Sequence, residues 1–104
     1  MTGVFPRSNH GVTVRYTVHP EEVSRMRVIT HDLTSASRAE KGCVLYHFSE
    51  SAEKEGVFFL IMIWRDEAAY RHYAASDYVR AFTSILAAGM LEKPPVVEKW
   101  RSLG

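Results

Sequence analysis

Hydrophobic and polar positions alternate over residues 11–19, GVTVRYTVH. Val12, Val14, Tyr16 and Val18 fall on one side, and Thr13, Arg15, Thr17 and His19 on the other, the period of a strand with one buried face. At Pro20 the period changes to three and four. Proline suits the first position of a helix, and Glu21 and Glu22 sit favourably against the positive end of its dipole. Val23, Met26, Thr30, Leu33 and Ser37 form the predicted buried stripe, widened by Ile29 and Ala36. The helix is expected to reach about Glu40, with Gly42 terminating it. CVLYHFSE (43–50) predicts a second strand and VFFLIMIW (57–64) a third, joined as a hairpin through the polar SAEKEG. Asp66 is placed to cap a short helix from 67 to about 75. Ser76 is placed to cap another from 77 to about 88, ending near Gly89. After Pro94–Pro95, VVEKWR (96–101) predicts the last strand.

The resulting order, β-α-β-β-α-β with the second α split in two, predicts an α+β, ferredoxin-like domain with an antiparallel sheet. Such a sheet carries its helices on one face. The third strand then poses a problem, because it does not alternate. Phe58, Leu60, Met62 and Trp64 share one face, while Val57, Phe59, Ile61 and Ile63 share the other. One set meets the helices. Leaving the other in water forfeits several kcal/mol, at about 25 cal/mol per Å² of apolar surface. The simplest cover is the same sheet from a second copy, so a two-fold homodimer through the sheet face is expected.

Composition narrows the function classes. A chain of 104 residues is one domain, read here as residues 11–101 behind a loose arm at 1–10. The longest apolar run, seven residues, is far too short for a membrane span, and no signal peptide is apparent, so a cytoplasmic location is the expectation. The 13 basic residues are scattered and the net charge is +1, which argues against nucleic acid as a partner. Cys43 is the single cysteine, which excludes an internal disulfide and is read as a small buried hydrophobe. His10, His19 and His31 show no metal-ligand spacing, and no metal site is expected.

EKGCVLYHF, then a hydrophobic strand running into IMIWRDEAAYRHYAASDYVRAF, then a proline-led final strand, resembles the antibiotic biosynthesis monooxygenase domain. The resemblance spans about residues 11–101. It implies a dimeric α+β barrel with a pocket between helices and sheet in each subunit. For the oxygenases of that family it implies oxidation of quinols or anthrone-type phenols directly by O₂, without metal, flavin or heme. Trp64 matches the family tryptophan that ends the third strand, and Tyr70, six residues on, matches a pocket-lining tyrosine of the anthrone-oxidising members. Where many members carry Glu, two residues before the tryptophan, this chain has Met62. Where many carry His, nine residues after it, this chain has Tyr73, with His72 one place earlier and about 100° round the helix. Leu60 stands where the anthrone-oxidising members have Asn. The residues associated with heme degradation, a histidine in the second helical region and an asparagine on the first strand, are not found at matching positions.

Cofactor-free oxygenation of a phenol needs a dry cavity that admits O₂, a base, a group to hold the oxyanion, and flat walls. The residue types present suggest Phe58, Leu60 and Met62 as the apolar floor, with Trp64, Tyr70 and Tyr73 as aromatic wall. His72 or His47 is the candidate base, since imidazole titrates in the working range. Arg15 is the candidate oxyanion holder, or else an ion-pair partner of Glu98 across the sheet. Each has a purely structural alternative: core packing for the aromatics, a solvated position for His72, an interface position for His47. The expected partner is a hydrophobic aromatic small molecule. The competing functions are a non-catalytic dimeric binding module and an isomerase on the same scaffold.

Overall fold

A computed structural model of the chain describes residues 9–101 and 103. Most of the expected arm therefore lies outside the described residues, but its last two residues, Asn9 and His10, do not. The first strand, β1, is His10–Thr17 and starts one residue before the expected boundary. A single 3₁₀ turn, Pro20–Glu22, leads into α1, Val23–Arg38. Strands β2 (Cys43–Glu50) and β3 (Val57–Trp64) form the hairpin, and α2 (Glu67–Ala74), α3 (Asp77–Ala87) and β4 (Val96–Arg101) complete the chain. The sheet order is β2-β3-β1-β4, with every neighbouring pair antiparallel, the ferredoxin-like arrangement. No helix among the described residues is long and apolar enough to cross a membrane.

The buried residues of α1 are Val23, Met26, Thr30, Leu33 and Ser37, the stripe its spacing predicts. On β3 the helix-facing set is Phe58, Leu60, Met62 and Trp64, all buried, while Val57, Phe59, Ile61 and Ile63 are half-buried on the opposite face. The register then fixes the rest of the sheet. Val12, Val14 and Tyr16 lie opposite Met62, Leu60 and Phe58 on the helix side. Thr13 and Arg15 lie opposite Ile61 and Phe59 on the bare side. Trp100 joins the bare side from β4, where its indole N–H donates to Thr13 Oγ1 at 2.8 Å. It remains 55% exposed there.

Two terminators work differently from expectation. Gly42 is not a left-handed helix cap, since only Gly56 and Gly89 have positive φ among the described residues. Its lack of a side chain serves packing, because a Cβ there would fall on the methyl of Ala69 in α2. Its carbonyl meanwhile accepts from Arg65 N–H at 2.7 Å. Asp66 does cap α2, accepting from Ala69 N–H at 2.8 Å. Ser76 precedes α3 but turns its hydroxyl back to the Tyr73 carbonyl at 2.6 Å, so it ties the two helices together rather than capping the second.

Candidate functional site

Between the helix-facing side of the sheet and α2–α3 lies a cavity of about 360 Å³. Val14 and Tyr16 of β1, Met62 of β3 and Val97 of β4 form its sheet wall. Tyr70 and Tyr73 of α2 and Leu86 of α3 form its helix wall. Its size falls in the range of small-molecule pockets, roughly 300–1,000 Å³. The cavity is open along β4, an edge strand that the helices do not fully roof, and Val97 is accordingly left exposed on its wall.

Trp64 lies behind the Tyr73 ring rather than on the cavity wall, and its own edge lines a separate groove with Gly42 and Ala69. The indole is 0% exposed and lies 4.6 Å, centroid to centroid, from the ring of Tyr73. Tyr73 is also buried, and its hydroxyl shares a 2.7 Å hydrogen bond with that of Tyr46. That bond spends the Tyr73 hydroxyl on the core rather than on the cavity. The hydroxyls of Tyr16 and Tyr70 enter no side-chain hydrogen bond among the described residues. Burial pushes the phenols of Tyr16, Tyr46, Tyr70 and Tyr73 above the ordinary tyrosine value, with Tyr73 further raised by its bond to Tyr46. They stay protonated at neutral pH. They can orient a polar ligand atom, but they do not act as bases.

Several candidate residues sit elsewhere. His72 is on the outer side of α2 with its side chain 79% exposed, 3.8 Å from Glu40, at the rim of a separate groove with Lys41 and Arg65. The helix puts it one position round from Tyr73, the residue that faces in. His47 pairs with Ile61, so it lies exposed on the bare face of the sheet, away from the cavity. A bulge between Cys43 and Leu45 breaks the alternation that grouped these two with His47: Cys43 pairs with Trp64 and packs on the core, whereas Leu45 pairs with Ile63 on the bare face. Arg15 is also on the bare face, with its guanidinium 5.6 Å from the Phe59 ring centre. Glu98 lies opposite Thr13, not Arg15, and no ion pair joins Arg15 to Glu98 among the described residues. Phe58 and Leu60 belong to the buried core, whereas Met62 reaches the cavity.

One residue packed behind the cavity wall falls outside the pattern read from sequence. His10 precedes Val12 by two, so it shares the helix-facing side, and it stands opposite Trp64 in the β1–β3 register. Its ring lies 4.9 Å from that of Tyr70. The parity of β1 was the available signal, hidden by assigning His10 to the arm. Among the described residues, both His10 Nε2 and Trp64 Nε1 are buried without a hydrogen-bond partner. Among the described residues, no cluster of His, Cys, Asp and Glu is placed to hold a metal ion.

Comparison with known proteins follows the same lines. The family model described as antibiotic biosynthesis monooxygenase matches residues 10–84. An uncharacterised protein of Synechocystis is 24% identical over 84 residues, 81% of this chain, and the chain spans 56% of that curated relative's length. The Mycobacterium tuberculosis protein Rv0793 superposes with a TM-score of 0.86 at 25% identity, covering 93% of this chain and 97% of that one. A proposed antibiotic biosynthesis monooxygenase of Caulobacter crescentus gives 0.87 at 22% identity, covering 97% and 95%. At that identity the likeness establishes the fold.

Proposed function

The chain belongs to the antibiotic biosynthesis monooxygenase family, and from that premise we propose that its helix-side cavity binds a flat phenolic or quinol substrate and supports its oxygenation by O₂ without a cofactor. The observation that carries this reading is the cavity of about 360 Å³, whose lining side chains are apolar except for the hydroxyls of its tyrosines and Thr83. The chemistry asks for such a space. A phenol oxidised at a ring methylene takes up one O₂, places one oxygen atom in a new carbonyl and releases the other as water. Triplet O₂ reacts with the phenolate by taking one electron, and the two radicals combine to form the C–O bond. An apolar cavity admits O₂, and a substrate that fills it displaces water from the reacting centre. The hydroxyls of Tyr16 and Tyr70 would orient the substrate oxygen.

The bare face, with Val57, Phe59, Ile61, Ile63, Val96 and Trp100, supports a further part of the proposal: a second copy covers it. The sheets would then stack, while each cavity stays within its own subunit.

A second reading is favoured by one specific observation. The Tyr73 hydroxyl is tied to Tyr46, and His72 and His47 stand outside the cavity. A non-catalytic module that captures an aromatic ligand fits that arrangement. Oxygen uptake with anthrones and hydroquinones separates the two. Oxygenation requires uptake that falls when Thr83, on the cavity wall, is replaced by Phe to fill the space. Tight binding of the same compounds with no uptake in either protein selects the capture module.

A further inference from the structure

We propose that His10 is the base of this site, with Nε2 accepting the phenolic proton of the substrate while the Trp64 indole N–H donates to the oxygen left behind. This rests on the reading of the cavity as a phenol-binding site. His10 and Trp64 are direct partners across β1 and β3, on the helix-facing side. Directly opposite residues in an antiparallel pair have Cβ atoms about 4.5–5.5 Å apart. Both rings present a buried nitrogen with no hydrogen-bond partner. Buried polar atoms are ordinarily paired, and two orphans on cross-strand neighbours point to an occupant that supplies the missing bonds. The His10 ring lies 4.9 Å from that of Tyr70 and the Trp64 ring 4.6 Å from that of Tyr73, so the pair stands directly behind the tyrosine wall of the cavity, and a substrate meets it when the half-buried Tyr70 ring turns aside.

The two nitrogens differ in a useful way. Indole N–H is a donor only, whereas a neutral imidazole offers one acceptor nitrogen. In the step, the substrate O–H bond breaks and an Nε2–H bond forms. The electron pair stays on oxygen, where Trp64 stabilises it, and the phenolate then gives one electron to O₂. The groups around His10 are Tyr70 from α2, whose phenol stays protonated, Trp64 from β3, and Arg101, opposite His10 on β4. Among the described residues, these neighbours include no carboxylate.

The test uses the full chain and 1,8-dihydroxyanthraquinone, a flat phenol that O₂ does not oxidise further. Near neutral pH, bound probe should show its red-shifted phenolate absorption, and the imidazole nitrogen resonances of His10 should move on binding. His10→Gln should still bind the probe but lose the phenolate band. In oxygen uptake the variant should lose about a hundredfold in kcat with little change in KM. An unchanged phenolate band in His10→Gln overturns the proposal and leaves the cavity reading standing. If the variant does not fold, the resonances of the natural chain decide, and unmoved His10 signals with probe bound overturn it equally. Failure of the natural chain to bind the probe at all overturns the cavity reading, and the role of His10 with it.

Discussion

The hydroxyls of Tyr46 and Tyr73 lie 2.7 Å apart in the core, bridging β2 to α2 behind the cavity. Tyr46 also meets Ser37 of α1, whereas Tyr73 has no second side-chain partner among the described residues. Removing one hydroxyl leaves the other buried and short of a bond, a loss of about 1–3 kcal/mol. Tyr46→Phe should therefore be the more costly single change, because it strands Tyr73. The double variant should cost less than the sum of the two singles. Urea denaturation of all four proteins measures the coupling. Simple additivity would show that the bond contributes nothing.

Gly42→Ala tests the contact between the loop before β2 and α2. The added methyl competes for the space of the Ala69 methyl. Overpacking of this kind costs about 1–3 kcal/mol, and in a domain of this size each kcal/mol lowers Tm by about 4–8 °C. A companion change, Ala69→Gly, opens the space and should recover part of the loss in the double variant beyond what its own helix penalty allows.

Alkaline pH should unfold the protein through its tyrosines. All five are raised above the ordinary value: burial is the main cause in each, and Tyr78, which also donates to Glu40 at 2.7 Å, is pushed up to about 12. An unfolded tyrosine ionises near about pH 10. Above that pH the unfolded chain loses protons that the folded chain retains, so stability is full below about pH 10 and falls as pH rises. Tyrosinate absorbance should appear together with the loss of circular dichroism, not ahead of it. Ionisation of the buried phenols in a protein that stays folded would contradict the packing described for them.

The proposed second copy predicts that Ile61→Lys separates the dimer. Ile61 sits mid-strand on the bare face, between Thr13 and His47. A charge there would have to be buried without a partner, and a loss of about 3 kcal/mol raises the dissociation constant by roughly a hundredfold. Sedimentation of the two proteins over a concentration series reads the effect directly. A natural chain that sediments as a monomer throughout would remove the dimer from the account.

The sequence made some of this legible and hid the rest. The α1 stripe and the two faces of β3 could be read because each burial pattern repeats over a whole element. The choice between the faces of β3 could not, because both are apolar along its full length. The site was harder. Tyr70 and Tyr73 were singled out through the family resemblance, by their distance in sequence from Trp64, and both line the cavity. For His47 the sequence left two positions open, pocket or bare face; it lies on the bare face, and a bulge after Cys43 separates it from the core-facing Cys43. For His72 the solvated alternative is the one the structure shows, since a single step round α2 from Tyr73 turns it outward. His10 was lost at an element boundary, where the pattern of β1 has no preceding residue to anchor it.

The measurement that bears most directly on the central claim is the fate of ¹⁸O₂ during turnover of an anthrone. The account predicts one labelled atom in the new carbonyl, the other in water, and loss of the label-bearing product when Thr83→Phe fills the cavity. Product formed at the same rate by that variant, or carrying oxygen from water, would contradict it.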